Sequence, residues 1–344
     1  MNTNFLKLVG SLKMRQANIA SQIKKMKQFR KLIRDIKKNT SGEGYLAWCE
    51  HKISSRLTKL RVFSVVPASF GGAKLIAFLE KNQLSDYDIL YDMLLSNPDI
   101  CKDKKFILRD IILPVANEKS ECWAFASVIQ DTLLPYLLEE YFAEKNFQSL
   151  YPALGTEWPY EYGNVTLKAG DIVIDAGSHI GAFSALASVR GCKSYAFEPI
   201  PYNINYLSKT AEWNKNIEIC NYALSDNKSD ITFNVFEGLN GVADLIRKCD
   251  KPAVTVMAKA IDLDSFVQEN KLSSVDFIKA DIEGAERLML KGAKNVLKEF
   301  SPKIAICTYH LPDDPKILRE LILDANPNYV IEEKPMKMYA HVPK

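Results

Sequence analysis

No stretch of this chain holds the roughly 18 unbroken apolar residues that a membrane-spanning helix requires. The run FLKLVG near the start is too short and too early for the core of a signal peptide. A cytoplasmic protein is therefore expected, with any membrane contact peripheral and at the inner face. CxxC pairs are missing too: the seven cysteines, Cys49, Cys101, Cys122, Cys192, Cys220, Cys249 and Cys307, are odd in number and scattered. That excludes a disulfide framework or a zinc-finger spacing and leaves reduced, mostly buried thiols. Acids are almost absent from residues 1–40, where eleven Lys and Arg face the single Asp35. The remainder carries 34 bases against 41 acids, so the net charge of +3 conceals a basic start and an acidic body. A nucleic-acid reader would be basic across its reading surface, so no nucleic acid is expected as a partner.

With 47% apolar and 25% charged residues, the chain has enough apolar mass for a sizeable core, and its 344 residues suggest about two domains of roughly 100–200 residues each. In residues 1–40, Phe5, Leu8, Leu12, Ile19, Met26, Phe29, Ile33 and Ile36 keep a three-four spacing broken at Arg15 and Gln22. This reads as a basic amphipathic helix, packed on its own protein or used for peripheral membrane contact or homodimerisation. Residues 41–150 read as a mainly helical N-terminal region, on the periodicity of AKLIAFLEKNQLSDYDILYDMLLS and LPYLLEEYFAEKNF. A loop rich in Pro, Gly and aromatics, YPALGTEWPYEYGNVTLKAGD, then marks a boundary, and residues 151–344 form the last domain.

From Asp171 the rhythm is strand, helix, strand. Strands are expected at IVIDA, SYAFEP, IEICN, VDFIKAD and KIAICTYH, with helices starting near Ile180, Asn203, Ala285 and Lys316, which implies an α/β fold around a parallel sheet. DITFNVFEG and AVTVMAK interrupt this as an inserted strand pair, and YVIEEK with MKMYAHVPK looks like an antiparallel edge hairpin turned at Pro335.

The first strand runs into DAGSHIG, where Asp175, Gly177 and Gly181 make DxGxxxG. A dinucleotide site spaces three glycines as GxGxxG so that pyrophosphate can lie on bare backbone. The third glycine is absent and an acid stands where an anion would be repelled, which excludes the nicotinamide-dehydrogenase reading. A carboxylate at a strand end, with Gly177 letting the backbone approach, suits a ligand with a cation and hydroxyls. S-adenosylmethionine, carrying a sulfonium, an ammonium and a ribose diol, meets that demand. In an open α/β sheet ligands sit beyond the carboxyl ends of the strands. The five strand ends place Asp175, Glu198, Asn221, Asp281 and His310 there. Glu198 follows Gly177 by 21 residues, the interval of an acid that accepts from a ribose, and Pro199 opens the next helix.

These pieces resemble a known family, the FkbM-type methyltransferases, over about residues 157–342. The resemblance is carried by PYEYGNVTLKAGDIVIDAGSHIGAFS, AFEPIPYN, NYALSD, VDFIKADIEGAE and IAICTYHLPDD, in that order. It implies a Rossmann-like class I methyltransferase sheet with an antiparallel last strand, and methyl transfer to a hydroxyl of a glycan or a natural-product precursor. By the same resemblance Asp175, Gly177 and Gly181 form the cofactor turn, Glu198 with Pro199 holds the ribose, Asn221 and Ala223 lie along the adenine, and Glu161 and Tyr162 close over the methionine end. Ser178 and His179 stand where such proteins often carry alanine and asparagine.

For the chemistry, His310 is the candidate general base by its pKa class, Asp281 holds the cofactor's ammonium or the acceptor, and Glu283 with Glu286 borders the site or stabilises a helix N-terminus. With His310 these carboxylates also make an oxygen-rich cation site conceivable, but no tight ligand spacing speaks for it and the expectation is metal-free. The competing classes are a non-catalytic adaptor that binds S-adenosylmethionine and a methyltransferase acting on RNA or protein.

Overall fold

The computed structural model describes residues 101–108, 110–117, 125, 128, 132–133, 158–236, 243–244 and 253–343. The expected helix over 1–40 lies outside the described residues, as do both stretches on which the helical reading of 41–150 rests. What is described of that region is a three-stranded antiparallel meander, β1 (Cys101–Lys102), β2 (Lys105–Leu108) and β3 (Ile111–Pro114), alternating in burial as a half-covered sheet does. Among the described residues no helix is long and apolar enough to cross a membrane.

The main body follows in the order β4 (Ile172–Ala176), α1 (Ala182–Val189), β5 (Lys193–Phe197), α2 (Pro201–Trp213), β6 (Ile217–Cys220), β7 (Ala223–Ser225), β8 (Ser229–Phe236), β9 (Ala243–Asp244), β10 (Ala253–Asp262), α3 (Leu263–Glu269), β11 (Phe277–Ala280), α4 (Glu286–Lys291), α5 (Lys294–Glu299), β12 (Lys303–Cys307), α6 (Asp314–Ala325), β13 (Val330–Lys334) and β14 (Lys337–His341). Seven strands form one sheet, ordered β13-β14-β12-β11-β4-β5-β6. β12, β11, β4, β5 and β6 run parallel, while β14 is antiparallel to both its neighbours. This is the Rossmann-like sheet with a reversed last strand that the sequence led us to expect. The central strands read as near-continuous apolar runs because helices cover both faces. Ile174, Ile278, Ile304 and Ile306 are fully buried in the core that they share with Met289, Leu297, Leu318 and Ile322 from the helices.

Two details go beyond the expectation. β14 lies inboard of β13, so the edge belongs to the first strand of the terminal hairpin and the second is shielded between β12 and β13. The inserted pair, β8 and β10, is part of a separate four-stranded sheet ordered β7-β10-β8-β9, with Ala223, Phe233 and Ala260 packed against Ile200 in a small second core. The meander is tied to the main body by Asn214, whose side chain accepts from the Ile112 N–H (3.2 Å) and donates to the Ile112 carbonyl (2.7 Å).

Candidate active site

The turn after β4 is shaped by two glycines with left-handed backbone. Gly177 has φ +74°, and a Cβ there would overlap the carbonyl oxygen of Asp281, so only glycine allows the turn to lie against the end of β11. Gly181, at φ +86°, opens α1 where a Cβ would press on Leu207 and Thr210 of α2. The turn is pinned by the Gly177 and Ser178 N–H groups, which both donate to the Phe197 carbonyl, and Ser178 Oγ donates to the same oxygen (3.2 Å).

Asp175 departs from its expected role. Parallel pairing sets it beside Lys279, and the two side chains form an ion pair at 3.1 Å with Asp175 wholly buried and Lys279 nearly so. Its other oxygen accepts from Ser184 Oγ (2.7 Å), which contacts Ser194 Oγ at 2.8 Å. Lys279 also donates to the carbonyls of Ala176 (3.1 Å) and Gly177 (2.6 Å). Burial opposes its charge, but Asp175 and Asp281 outweigh that and raise its pKa. The acid therefore holds the turn from behind, through Lys279, instead of facing a ligand.

Glu198 caps the other side of the turn. Oε2 accepts from the His179 N–H (2.9 Å), and Oε1 from Ile200 N–H (3.0 Å) and Asn203 Nδ2 (3.2 Å). Burial pushes its pKa up to about 7, only partly offset by those donors. His179 is held neutral, its pKa lowered to about 4 by burial and then by the Lys279 charge. Its Nδ1 is buried with no hydrogen-bond partner, and the same holds for Asn203 Oδ1. Two orphaned polar atoms flanking a glycine turn are what a polar ligand would satisfy. Beside them, Pro199 and Asn221 line a cavity of about 480 Å³ together with Tyr222, Asp230, Met257 and Lys259. Ala223, expected along the adenine, is instead buried in β7 within the second core.

Glu161 and Tyr162 are also elsewhere. Glu161 accepts from the Leu167 N–H (2.9 Å) and pairs with Arg190 (3.1 Å) after α1, and Tyr162 packs on Trp158 and Tyr339. Tyr160 is the residue of this segment that reaches the strand ends. Its hydroxyl donates to Asp281 Oδ2 (2.8 Å), its ring lies against Phe183, and Lys337 Nζ sits 3.6 Å from its centroid. Tyr339 anchors the segment by donating to the Pro159 carbonyl.

Asp281, Glu283 and His310 do come together. His310 follows β12 with a fully buried side chain; Nδ1 is 2.9 Å from Glu286 Oε1, and Nε2 is 3.5 Å from Asp281 Oδ1 and 3.7 Å from Glu283 Oε2. Glu286, fully buried at the start of α4, accepts from the Ile282 (2.9 Å) and Gly284 (3.0 Å) N–H groups. Burial would lower the His310 pKa, but Glu286, then Asp281 and Glu283, raise it to about 9. The surrounding carboxylates thus favour the protonated ring as long as nothing else faces Nε2. Burial would raise Asp281, yet Lys279, His310, Lys337 and the Tyr160 hydroxyl hold it down at about 2. Tyr309 also donates to Asp281 Oδ1 (3.2 Å).

Lys279, Tyr160 and the backing role of Glu286 were not found from sequence. A lysine inside the apolar run FIKA was the available signal, because lysine is almost never fully buried unless paired.

Residues 175–330 match the methyltransferase FkbM domain. A hexuronic acid methyltransferase, AglP, of Haloferax volcanii is 29% identical over 157 residues, which are 45% of this chain and 62% of that protein. The methyltransferase sdnD of Sordaria araneosa is 25% identical over 195 residues, 47% of this chain and 74% of its own. A crystal structure of methyltransferase FkbM from Methylobacillus flagellatus KT aligns over 68% of this chain and 57% of its own, at 20% identity and a TM-score of 0.41. The chain thus spans less than two thirds of the first relative. From the turn at Asp175 to the start of β13, the chain is similar to the methyltransferase FkbM domain.

Proposed function

We propose that the domain binds S-adenosylmethionine at the DAGSHIG turn and directs its methyl group to a hydroxyl of a sugar, glycan or glycolipid precursor. The observation that carries this reading is the side-by-side placement of two unlike sites. The glycine turn with its orphaned His179 Nδ1 adjoins a cluster of Tyr160, Asp281, Glu283 and His310 at the ends of β11 and β12. Asp281 links them, since its N–H donates to Ala176 O (3.1 Å) and its carbonyl fills the space over Gly177.

The cofactor, when bound, supplies a methyl carbon on a positively charged sulfur. Glu198 is the acceptor for the ribose hydroxyls, and its carboxylate retains lone pairs beyond the three protein donors it already satisfies. Asn203 and His179 offer the unpaired atoms beside it. At the other end, Asp281 keeps its charge at any physiological pH and accepts from the acceptor hydroxyl, orienting its lone pair for in-line attack. Positioning of this kind supplies most of the rate, and the hydroxyl proton leaves toward solvent past the partly exposed Asp281 and Glu283 carboxylates. The sugar acceptor is supported by AglP, whose name gives it a hexuronic acid substrate.

The test has two stages. Titration calorimetry with S-adenosylhomocysteine should show one site per chain; no binding would overturn the reading. Mass spectrometry of surface glycans and glycolipids from cells with and without the protein should then show loss of a methyl group, and an unchanged glycan profile would remove the sugar acceptor.

A further inference from the structure

We propose that His310, Asp281 and Glu283 form a divalent-cation site, with Nε2, Oδ1 and Oε2 as the protein ligands and open positions for vicinal oxygens of the acceptor. The acceptor role rests on the methyl-transfer reading above; the cation site itself does not.

The first observation is an unsatisfied nitrogen. The His310 side chain is fully buried, and neither ring nitrogen makes a hydrogen bond: Nδ1 only approaches Glu286 Oε1 at 2.9 Å, and Nε2 has carboxylate oxygens at 3.5 and 3.7 Å. The last two separations are too long for good hydrogen bonds. They are the spans expected of two donors on one ion, since ligands at about 2.0–2.2 Å from a metal and 90–120° apart stand about 2.8–3.8 Å from each other.

The second observation is what holds the ring. A metal-binding histidine characteristically gives its other nitrogen to a carboxylate, which fixes the tautomer and aims the free lone pair. Glu286 is placed for that task. It is fully buried, its two oxygens are anchored by the Ile282 and Gly284 N–H groups, and Oε1 lies 2.9 Å from His310 Nδ1. Glu286 is thus a positioning residue behind the histidine, with Asp281 and Glu283 in front.

The third is access. Asp281 and Glu283 are 25% and 29% exposed in their side chains, whereas His310 and Glu286 are closed off, so the cluster opens on one side only. The chain turns sharply there, with Glu283 at φ +54° and Gly284 at φ +102°, which brings the Glu283 carboxylate back toward His310. The Lys279 charge is shared between Asp281 and Asp175, with which it pairs at 3.1 Å. One imidazole with two carboxylates suits Mn²⁺ or Zn²⁺ better than an all-oxygen cage for Ca²⁺.

The experiment uses the full chain, freed of metal with chelator and titrated with Mn²⁺ under electron paramagnetic resonance. One ion per chain is expected, with a dissociation constant below about 100 µM. Electron spin-echo modulation from a coordinated ¹⁴N is expected, which a purely carboxylate surface site would not give. Glu283→Gln, at a partly exposed position, should weaken Mn²⁺ at least about tenfold, and Glu286→Gln about 10–100-fold with the nitrogen signal reduced. Binding weaker than millimolar, or bound Mn²⁺ without nitrogen coupling, overturns the proposal. S-adenosylhomocysteine titrated into the same samples separates the two readings: a chain that binds this ligand but takes up no Mn²⁺ sinks the cation site and leaves methyl transfer standing, and one that takes up Mn²⁺ but not this ligand does the reverse.

Discussion

Asp175 and Asp281 stand at the ends of neighbouring parallel strands, yet their surroundings are opposite. Asp175 is fully buried, paired with Lys279 and bonded to Ser184, and has no route to solvent. Asp281 is partly open and shares its surroundings with a histidine, two further carboxylates and two tyrosine hydroxyls. The first cluster is closed to solvent and each charge is answered by a protein partner, although Asp175 Oδ1 meets Lys279 as an ion pair without a hydrogen bond. The second holds a buried nitrogen with no hydrogen bond and carboxylates facing outward. A closed network stabilises one conformation, whereas an incomplete one has capacity left for a ligand. The strand-end position alone therefore does not identify a binding residue; its access to solvent and the pairing of its charge do.

The largest effect should come from opening the closed cluster. Lys279→Met leaves the Asp175 carboxylate buried and unpaired, which typically costs 3–5 kcal/mol, about a hundredfold to several thousandfold in the folding equilibrium. Denaturant unfolding should show that loss, and Asp175→Asn added to Lys279→Met should recover much of it. By contrast, Glu283→Gln in the open cluster should leave the unfolding midpoint nearly unchanged. A Lys279→Met protein as stable as the parent would erase the distinction between the two clusters.

Glu198 stands between these extremes, buried but with lone pairs to spare. Glu198→Ala should weaken S-adenosylhomocysteine by about 1.5–3 kcal/mol, the worth of charged hydrogen bonds, or roughly ten- to a hundredfold. The pH dependence refines the point. Because burial raises its pKa to about 7, the carboxylate is largely ionised at pH 8 and largely protonated at pH 6. Accepting from both ribose hydroxyls requires the ionised form, so affinity should fall as pH falls, about tenfold from pH 8 to pH 6. Calorimetry across that range checks it, and Glu198→Gln should flatten the profile. A flat profile in the parent protein would mean that Glu198 does not read the ribose.

How much of this could be read from the sequence depended on whether the signal was local. The strands IVIDA and KIAIC, the glycine spacing of Gly177 and Gly181, and the recurrence of polar residues at strand ends all lie within a few neighbouring positions, and the structure has them as expected. The inward orientation of Asp175 depends on register with Lys279, more than a hundred residues away, which no local pattern encodes. β14 lies inboard of β13 for a similar reason: a hairpin reads the same whichever strand pairs with the sheet. In the tyrosine-rich segment before β4, the resemblance points to Glu161 and Tyr162, whereas the residue whose hydroxyl reaches Asp281 is Tyr160.

That segment also gives the mildest prediction. Glu161 is paired with Arg190, with side chains 17% and 26% exposed, and it accepts the Leu167 N–H, so it anchors the loop at a distance from Asp281's partners. Partly exposed ion pairs contribute little, and Glu161→Gln should cost about 1 kcal/mol or less in stability. Its effect on S-adenosylhomocysteine affinity should be within twofold. Tyr160→Phe, which removes only the hydroxyl that Asp281 accepts, should keep the fold through the ring's contact with Phe183 while lowering turnover. Measuring both variants side by side places the boundary between anchor and site. If Glu161→Gln lost cofactor affinity while Tyr160→Phe kept full turnover, the carboxylate would be the ligand contact and the assignment of this segment would reverse.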